Sequence, residues 1–308
     1  MTNLKTTAIK QEKLLYAVLR TNKTELETVI QNKQSYYYTF PKIKKDKRGN
    51  IVYENGVPKQ RMINATKGRL NDFQKIITKK ILSTIPLQSN IKGGVKGSSN
   101  ITNAKAHLGK HYKFKTDIKK YFPSISQDRV FKMYIDNGFS CKVATLLTHI
   151  TTNNYELPQG TPTSTAIANL VFIPNDKKII DYCTKNNLTY TRYVDDLVFS
   201  SHFEFKEKVL EIVHFILSDG FRISIKKTIY TAGSLEITGV LTKQNVIDAT
   251  DEYKELVADK TIAAKTTEAR IKYISRIKTK TKKPTPSRVS EGNFTSAPHR
   301  TVREPLNS

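Results

Sequence analysis

The chain is expected to fold as an α+β protein, and three observations lead there. Helix-spaced apolar residues alternate with short aromatic and β-branched runs along most of the 308 residues. These elements do not follow the strand–helix–strand rhythm of a parallel sheet. The chain is also long enough to bury a sizeable core in one large or two modest units.

In chain order, residues 5–33 predict helix, because Leu14, Leu15, Val18 and Leu19, then Leu26, Val29 and Ile30, recur at helical spacing. Tyr36 to Phe40 is strand-like, Lys47 to Asn50 is turn-like, and Ile51–Tyr53 and Arg61–Ile63 suggest returning strands. Leu70, Phe73, Ile76, Ile77 and Ile81 restore a helical period up to Ile85. The run from Gly93 to Ser99 reads as a flexible loop lying close to a ligand backbone. A strand over Tyr112 to Ile118 precedes helices over 127–151 and 163–186. A strand–turn–strand unit at 191–200, a helix near 204–218, a strand from Phe221 to Ile225 and a hairpin from Leu235 to Leu241 complete the centre. Residues 251–277 carry helical spacing, and the basic, Pro/Ser/Thr-rich stretch 278–308 is expected to be disordered.

Lysine and arginine number 52 against 27 acidic residues, a formal charge of +25. Such a surplus is the footprint of a partner rich in phosphate. No apolar run approaches the roughly 20 residues that span a bilayer. The N-terminus lacks a signal peptide's apolar stretch, so a cytoplasmic, reduced protein is expected. Cys141 and Cys183 are the only cysteines, too few for a disulfide framework or a zinc site, and both are expected to be small buried hydrophobes.

Tyr193-Val194-Asp195-Asp196 has an apolar or β-branched run on each side, so it places adjacent carboxylates on a tight turn between buried strands. Those charges repel, and either a cation offsets them or their pKa values rise. An ordinary acidic turn is the competing reading. Asp117 ends the strand upstream, and strand alternation lets it share an edge with the hairpin acids, although a surface helix cap would also use aspartate. Three such acids can hold two Mg2+ ions, the arrangement of a phosphoryl-transfer site.

Asp117 and the Tyr-Val-Asp-Asp turn are spaced like the catalytic motifs of reverse transcriptases, and the resemblance runs from about residue 36 to about 245. Lys59 to Ile63, with Arg61, resembles the fingers motif that meets the incoming triphosphate. Leu157-Pro158-Gln159-Gly160 resembles the motif that backs nucleotide and template. Gly220-Phe221 with Lys226-Lys227 resembles the following glycine–lysine motif, and Leu235 to Gly239 occupies the place of the primer grip. The resemblance implies a right-hand polymerase with fingers and N-terminal helices over 1–110 and a palm over 111–245. A short or atypical thumb-like helical segment over 246–277 and the basic tail follow. It further implies Asp117, Asp195, Asp196 and Ile118 around two Mg2+. Arg61, Phe122, Gln159, Gly160 and Lys226 would surround a dNTP, with Phe122 as sugar gate. Phe122 could equally be core, and Lys226 solvated surface charge.

Asn103-Ala104-Lys105-Ala106-His107 resembles the Asn-Ala-x-x-His signature of retron enzymes, and Ile237-Thr238-Gly239 their Val-Thr-Gly with isoleucine for valine. This implies that Asn103, His107, Ile237, Thr238 and Gly239 serve RNA binding. The implied partners are a structured non-coding RNA, its cDNA (the branched product called msDNA) and an accessory effector in anti-phage defence. Local turn hydrogen bonding is the plainer reading of Asn103 and His107. A reverse transcriptase of another mobile or defence element, and a catalytically idle RNA-binding scaffold, remain open readings. Tyr36, Tyr37 and Tyr38 can stack on bases, but strand or core roles suit them better.

Overall fold

The computed structural model describes residues 8–46, 48–259 and 264–279. Two helices open the described chain, α1 (Glu12–Leu19) and α2 (Lys23–Gln31). The helical stretch expected over 5–33 divides in two because Arg20 turns left-handed at φ 55° and the Asn22 side chain caps α2 by accepting from the Glu25 N–H. A projecting ribbon follows, made of β1 (Tyr37–Ile43), a tip hairpin of β2 (Tyr53–Glu54) and β3 (Val57–Pro58), and β4 (Gln60–Thr66). Strands β1 and β4 pair antiparallel, Tyr37 opposite Thr66 through Ile43 opposite Gln60. Lys47, part of the expected turn, lies outside the described residues. Helix α3 (Gly68–Lys80) buries Leu70, Phe73 and Ile77, and α4 (Asn100–Lys105) starts at a Ser99/Thr102 capping box.

The central sheet is assembled from distant segments. Strand β5 (Tyr112–Asp117) is followed by α5 (Gln127–Asp136), α6 (Cys141–Thr151), α7 (Ser164–Val171) and α8 (Ile173–Lys185). Each of the two long helices expected there is a pair. Gly138 at φ 87° separates α5 from α6, and Pro174 in the first turn of α8 marks a new start after Phe172. Strands β6 (Thr189–Tyr193) and β7 (Asp196–Ser201) form the expected hairpin, and α9 (Val209–Leu217) follows.

No strand forms over Phe221–Ile225. That stretch crosses the end of β5 as a single bridge between Ile118 and Ile223, held by Lys119 N–H to the Arg222 carbonyl and Ser224 N–H to the Asp117 carbonyl. The strand lies later, as β8 (Ile229–Ala232), and the sheet order is β6-β7-β5-β8, antiparallel throughout.

Strands β9 (Leu235–Ile237), β10 (Val240–Thr242) and β11 (Ile247–Ala249) make a small second sheet, and α10 (Asp251–Ala258) and α11 (Ala264–Thr279) end the described chain. Strand alternation splits the packing: Leu197 and Phe199 enter the main core with the helices, while Val198 joins Ile237, Val240, Ile247 and Ile277 in a second cluster. The ribbon tip reaches across to both other parts. Arg48 pairs with Glu255 of α10 at 2.8 Å, and Glu54 lies 3.9 Å from Lys226.

Cys183 is buried as expected, but Cys141 is exposed at the first residue of α6. Most of the expected disordered tail, residues 280–308, lies outside the described residues, while Lys278 and Thr279 belong to α11. Among the described residues no helix is long and apolar enough to cross a membrane.

Candidate active site

The β5–β7 register sets Asp117 directly opposite Asp196, one residue from the hairpin turn. Paired positions on antiparallel strands stand about 4.5–5.5 Å apart, so two carboxylates meet at one sheet end. The turn brings the third: the Ile118 N–H donates to the Asp195 carbonyl at 2.9 Å. Burial first, then the charges of Asp196 and Asp117, push the Asp195 carboxyl up to about 6. Burial and then Asp117 raise Asp196 as well.

The cation engaged with this cluster is Lys227, whose Nζ donates to Asp117 Oδ2 at 2.6 Å. Burial works to lower the Lys227 pKa, and the bond to Asp117 with the nearby carboxylates raises it on balance. As the side chains stand, no three acidic, His or Cys groups among the described residues converge closely enough to hold a metal ion. The donor chemistry nevertheless fits a hard divalent cation: carboxylate oxygens, buried, with their mutual repulsion only partly offset. Lys227 is more than half exposed and can turn away from Asp117 to leave these donors free.

Asp195 and Asp196 form part of the wall of a cleft of about 1030 Å³ between the ribbon and the sheet, which Arg61, Phe122, Gln159, Gly160 and Thr238 also line. Arg61 is exposed on β4, and Phe122 is half-buried at the wall. Gly160 is needed by the protein's own backbone. At φ 122° a Cβ there would lie 2.6 Å from Ile63 Cγ2. The Asn64 N–H donates to the Gln159 carbonyl at 2.8 Å, so this loop is fastened to the ribbon.

Several expected site residues lie elsewhere. Lys226 is 91% exposed and faces Glu54 at the ribbon tip, whereas its neighbour Lys227 reaches Asp117. The cause is the 3₁₀ turn Ile225–Lys227, which rotates consecutive side chains by about a third of a turn. Asn103, His107 and Ile237 are fully buried. Ile118 buries its side chain too, leaving only backbone at the site. Thr238 and Gly239 are half-buried in the β9–β10 turn, both at positive φ.

Asn103 and His107 instead form a polar staple. The Thr191 hydroxyl donates to Asn103 Oδ1 at 2.7 Å, and Asn103 Nδ2 donates to Thr238 Oγ1 at 2.9 Å. With that hydroxyl's proton committed, His107 Nε2–H donates to Thr191 Oγ1 (2.8 Å) and Nδ1 accepts from Ser200 Oγ (2.6 Å). Burial, then the Lys113 ammonium, push the His107 pKa down to about 3, so the ring is neutral. The staple ties α4 to the β6–β7 hairpin and to the β9–β10 turn.

Two supports carry no assigned role in the sequence reading. Arg192 is wholly buried against Asp176, with Nη2 to Oδ2 at 2.6 Å and Nε to Oδ1 at 3.0 Å, and its Nη1 donates to the Val194 carbonyl at 3.0 Å. Gly93 lies against the β6–β7 turn, where a Cβ would sit 2.5 Å from Val194 N. The loop expected to lie close to a ligand backbone thus packs its first glycine on the hairpin's backbone, while Gly97 faces open space. An arginine among the buried positions of a strand and a Gly-Gly pair were the available signals.

Comparison with known proteins accords with this geometry. The family described as "Reverse transcriptase (RNA-dependent DNA polymerase)" matches residues 43–256. The retron Ec86 reverse transcriptase of Escherichia coli is 30% identical over 72% of this chain and 67% of its own length. The retron Se72 enzyme of Salmonella heidelberg is 31% identical over 65% of this chain and 55% of its own length. The retron Mx65 enzyme of Myxococcus xanthus is 30% identical over 60% and 49%. The chain thus spans about half to two thirds of the length of these curated relatives.

Proposed function

The chain belongs to the reverse transcriptase (RNA-dependent DNA polymerase) family, with retron enzymes as its relatives, and on that premise we propose that it copies a structured partner RNA into single-stranded DNA. The observation that carries this reading is the β5–β7 register, which sets Asp117 against Asp196 with Asp195 at the mouth of the cleft. In this reading Asp117, Asp195 and Asp196 hold Mg2+, with Ile118 contributing backbone only. Bound ions would lower the pKa of an attacking 3′-hydroxyl and offset charge on the departing pyrophosphate.

The chain's own groups do the rest. Arg61 on the ribbon meets the triphosphate, and Phe122 walls the sugar side and disfavours a 2′-hydroxyl. Gln159 and Gly160 back the base pair from a loop that β4 holds in place. Lys227 replaces Lys226 as the palm ammonium beside the reacting phosphates, because it already sits at Asp117. The same reading divides the molecule into fingers (to 110), palm (111–245) and a thumb-like helical segment (246–277). It also takes a non-coding RNA, a branched RNA–DNA product and an effector in phage defence as the biological setting.

The test is dNTP incorporation on a primed RNA template. The Asp195→Asn/Asp196→Asn variant should lose incorporation by several orders of magnitude and keep RNA binding. Full incorporation by that variant ends the polymerase reading, and an inactive wild-type protein that still binds RNA leaves a scaffold.

A further inference from the structure

The turn that carries the catalytic aspartates breaks a rule of turn chemistry. Its two central residues are Val194 and Asp195, and Val194 has φ 60° while Asp195 does not have positive φ. That is the pattern of a type II′ hairpin, whose first central position takes glycine. A β-branched residue at positive φ is an outlier that persists only when its surroundings over-determine it. Three surroundings do so. Arg192 Nη1 donates to the Val194 carbonyl at 3.0 Å. Gly93 closes on the Val194 N–H and side chain so tightly that no Cβ fits. Ile118 N–H holds the Asp195 carbonyl from the far side.

The first two clamps share one origin. The Arg192 guanidinium is fixed by both oxygens of Asp176, by the Asn169 side-chain oxygen at 2.9 Å and by the Asn169 carbonyl at 3.2 Å. The Asn169 Nδ2 in turn donates to the Gly93 carbonyl at 2.8 Å. Tyr190 donates its hydroxyl to Asp176 Oδ1 at 2.7 Å, and the Phe172 ring lies 5.0 Å from the guanidinium carbon. Every member of this array is buried, and it meets the turn at Val194, Arg192 at the carbonyl and Gly93 at the N–H and side chain.

We propose that Arg192 is a positioning residue for the polymerase reaction: through Asn169 and Asp176 it holds the Val194 peptide in its strained conformation and so fixes where the Asp195 and Asp196 carboxylates stand. This rests on the polymerase reading, and its test separates the two. A buried pair kept for packing alone needs no bond to a catalytic turn, and lysine, which cannot form the fork, would serve it nearly as well if it folded.

The experiment is a double-mutant cycle with Arg192→Lys and Val194→Gly, each checked for cooperative unfolding and RNA binding. Two readouts are taken on folded protein: kcat and KM for dNTP, and binding of Mn2+ followed by its electron paramagnetic resonance signal. Arg192→Lys should lower kcat at least tenfold with KM changed less than about threefold, and weaken Mn2+ binding severalfold. In the Val194→Gly background, where glycine takes positive φ without help, the same change should cost at least threefold less. Additive effects, or wild-type kcat and Mn2+ binding in Arg192→Lys, overturn the proposal. If Arg192→Lys does not fold, Asn169→Ala replaces it in the same cycle, since it removes one guanidinium acceptor and the Gly93 tie while leaving the Asp176 pair. If wild-type protein incorporates no dNTP, the polymerase reading fails, and the Mn2+ cycle alone decides the role of Arg192.

Discussion

Two buried groups at the β6–β7 hairpin make stability depend on pH with opposite signs. His107 binds its proton at about 3 when folded and near 6.5 when unfolded. The unfolded state therefore takes up more protons below about pH 6.5, and His107 costs about 1.4 kcal/mol of stability per pH unit as pH falls from there towards 3. Asp195 is displaced the other way, to about 6 when folded. Its penalty is fully present above about 6 and is relieved as pH falls from there towards 4. In divalent-free buffer the two slopes partly cancel between about pH 6 and 4. Denaturant titrations at pH 7, 6 and 5 should then show His107→Gln removing the acid loss and Asp195→Asn removing the acid gain. At the neighbouring lysines, Lys227→Ala should cut dNTP incorporation at least tenfold and Lys226→Ala less than threefold, read from steady-state rates at saturating template. Equal losses would place both ammonium groups at the phosphates and contradict the geometry at Asp117.

At the scale of elements, the parts legible in the sequence were those whose signal is local. The β6–β7 hairpin announces itself by β-branched, aromatic and apolar runs flanking a tight turn, and Asp117 could be placed at its edge from strand alternation alone. Helical spacing located α3 and α9, with their ends a few residues off. What stayed illegible depends on partners far along the chain. The period that runs through 127–151 does not reveal that Gly138 turns between α5 and α6. Phe221–Ile225 has strand composition, but the bridge to Ile118 and the Asp117 carbonyl bond hold it across the sheet end, and the pairing passes to β8. The signature from Asn103 to His107 was visible as a motif while its burial was not, because the groups it satisfies, Thr191, Ser200 and Thr238, lie about a hundred residues away. The β4–loop junction gives an element-scale prediction. Gly160→Ala drives a Cβ into Ile63 at unfavourable φ, so the Gln159 loop should shift from the ribbon. The KM for dNTP should rise severalfold with little change in global unfolding, as measured by kinetics and denaturation side by side.

The whole molecule carries a formal charge of +25, and this governs how it meets RNA. Affinity for a short RNA should fall steeply and linearly on a plot of log K against log salt, with each released phosphate contact contributing about 0.7 to the slope on single strands. Removing the site's acids should leave that slope unchanged, since they make no phosphate contact. A salt-independent affinity would show that the charge lies idle.

The ribbon tip gives this charge a second task. Glu255 pairs with Arg48, and Glu54 lies 3.0 Å from Lys59 and 3.9 Å from Lys226, so exposed ion pairs tie the tip to α10 and bring it near the turn at Lys226. All of these side chains are solvent-exposed, and salt or any polyanion loosens such clasps. A polyanion that competes for Arg48 should therefore open the clasp, and Glu255→Gln should hasten template loading in stopped-flow mixing at low salt while leaving the rate at high salt alone.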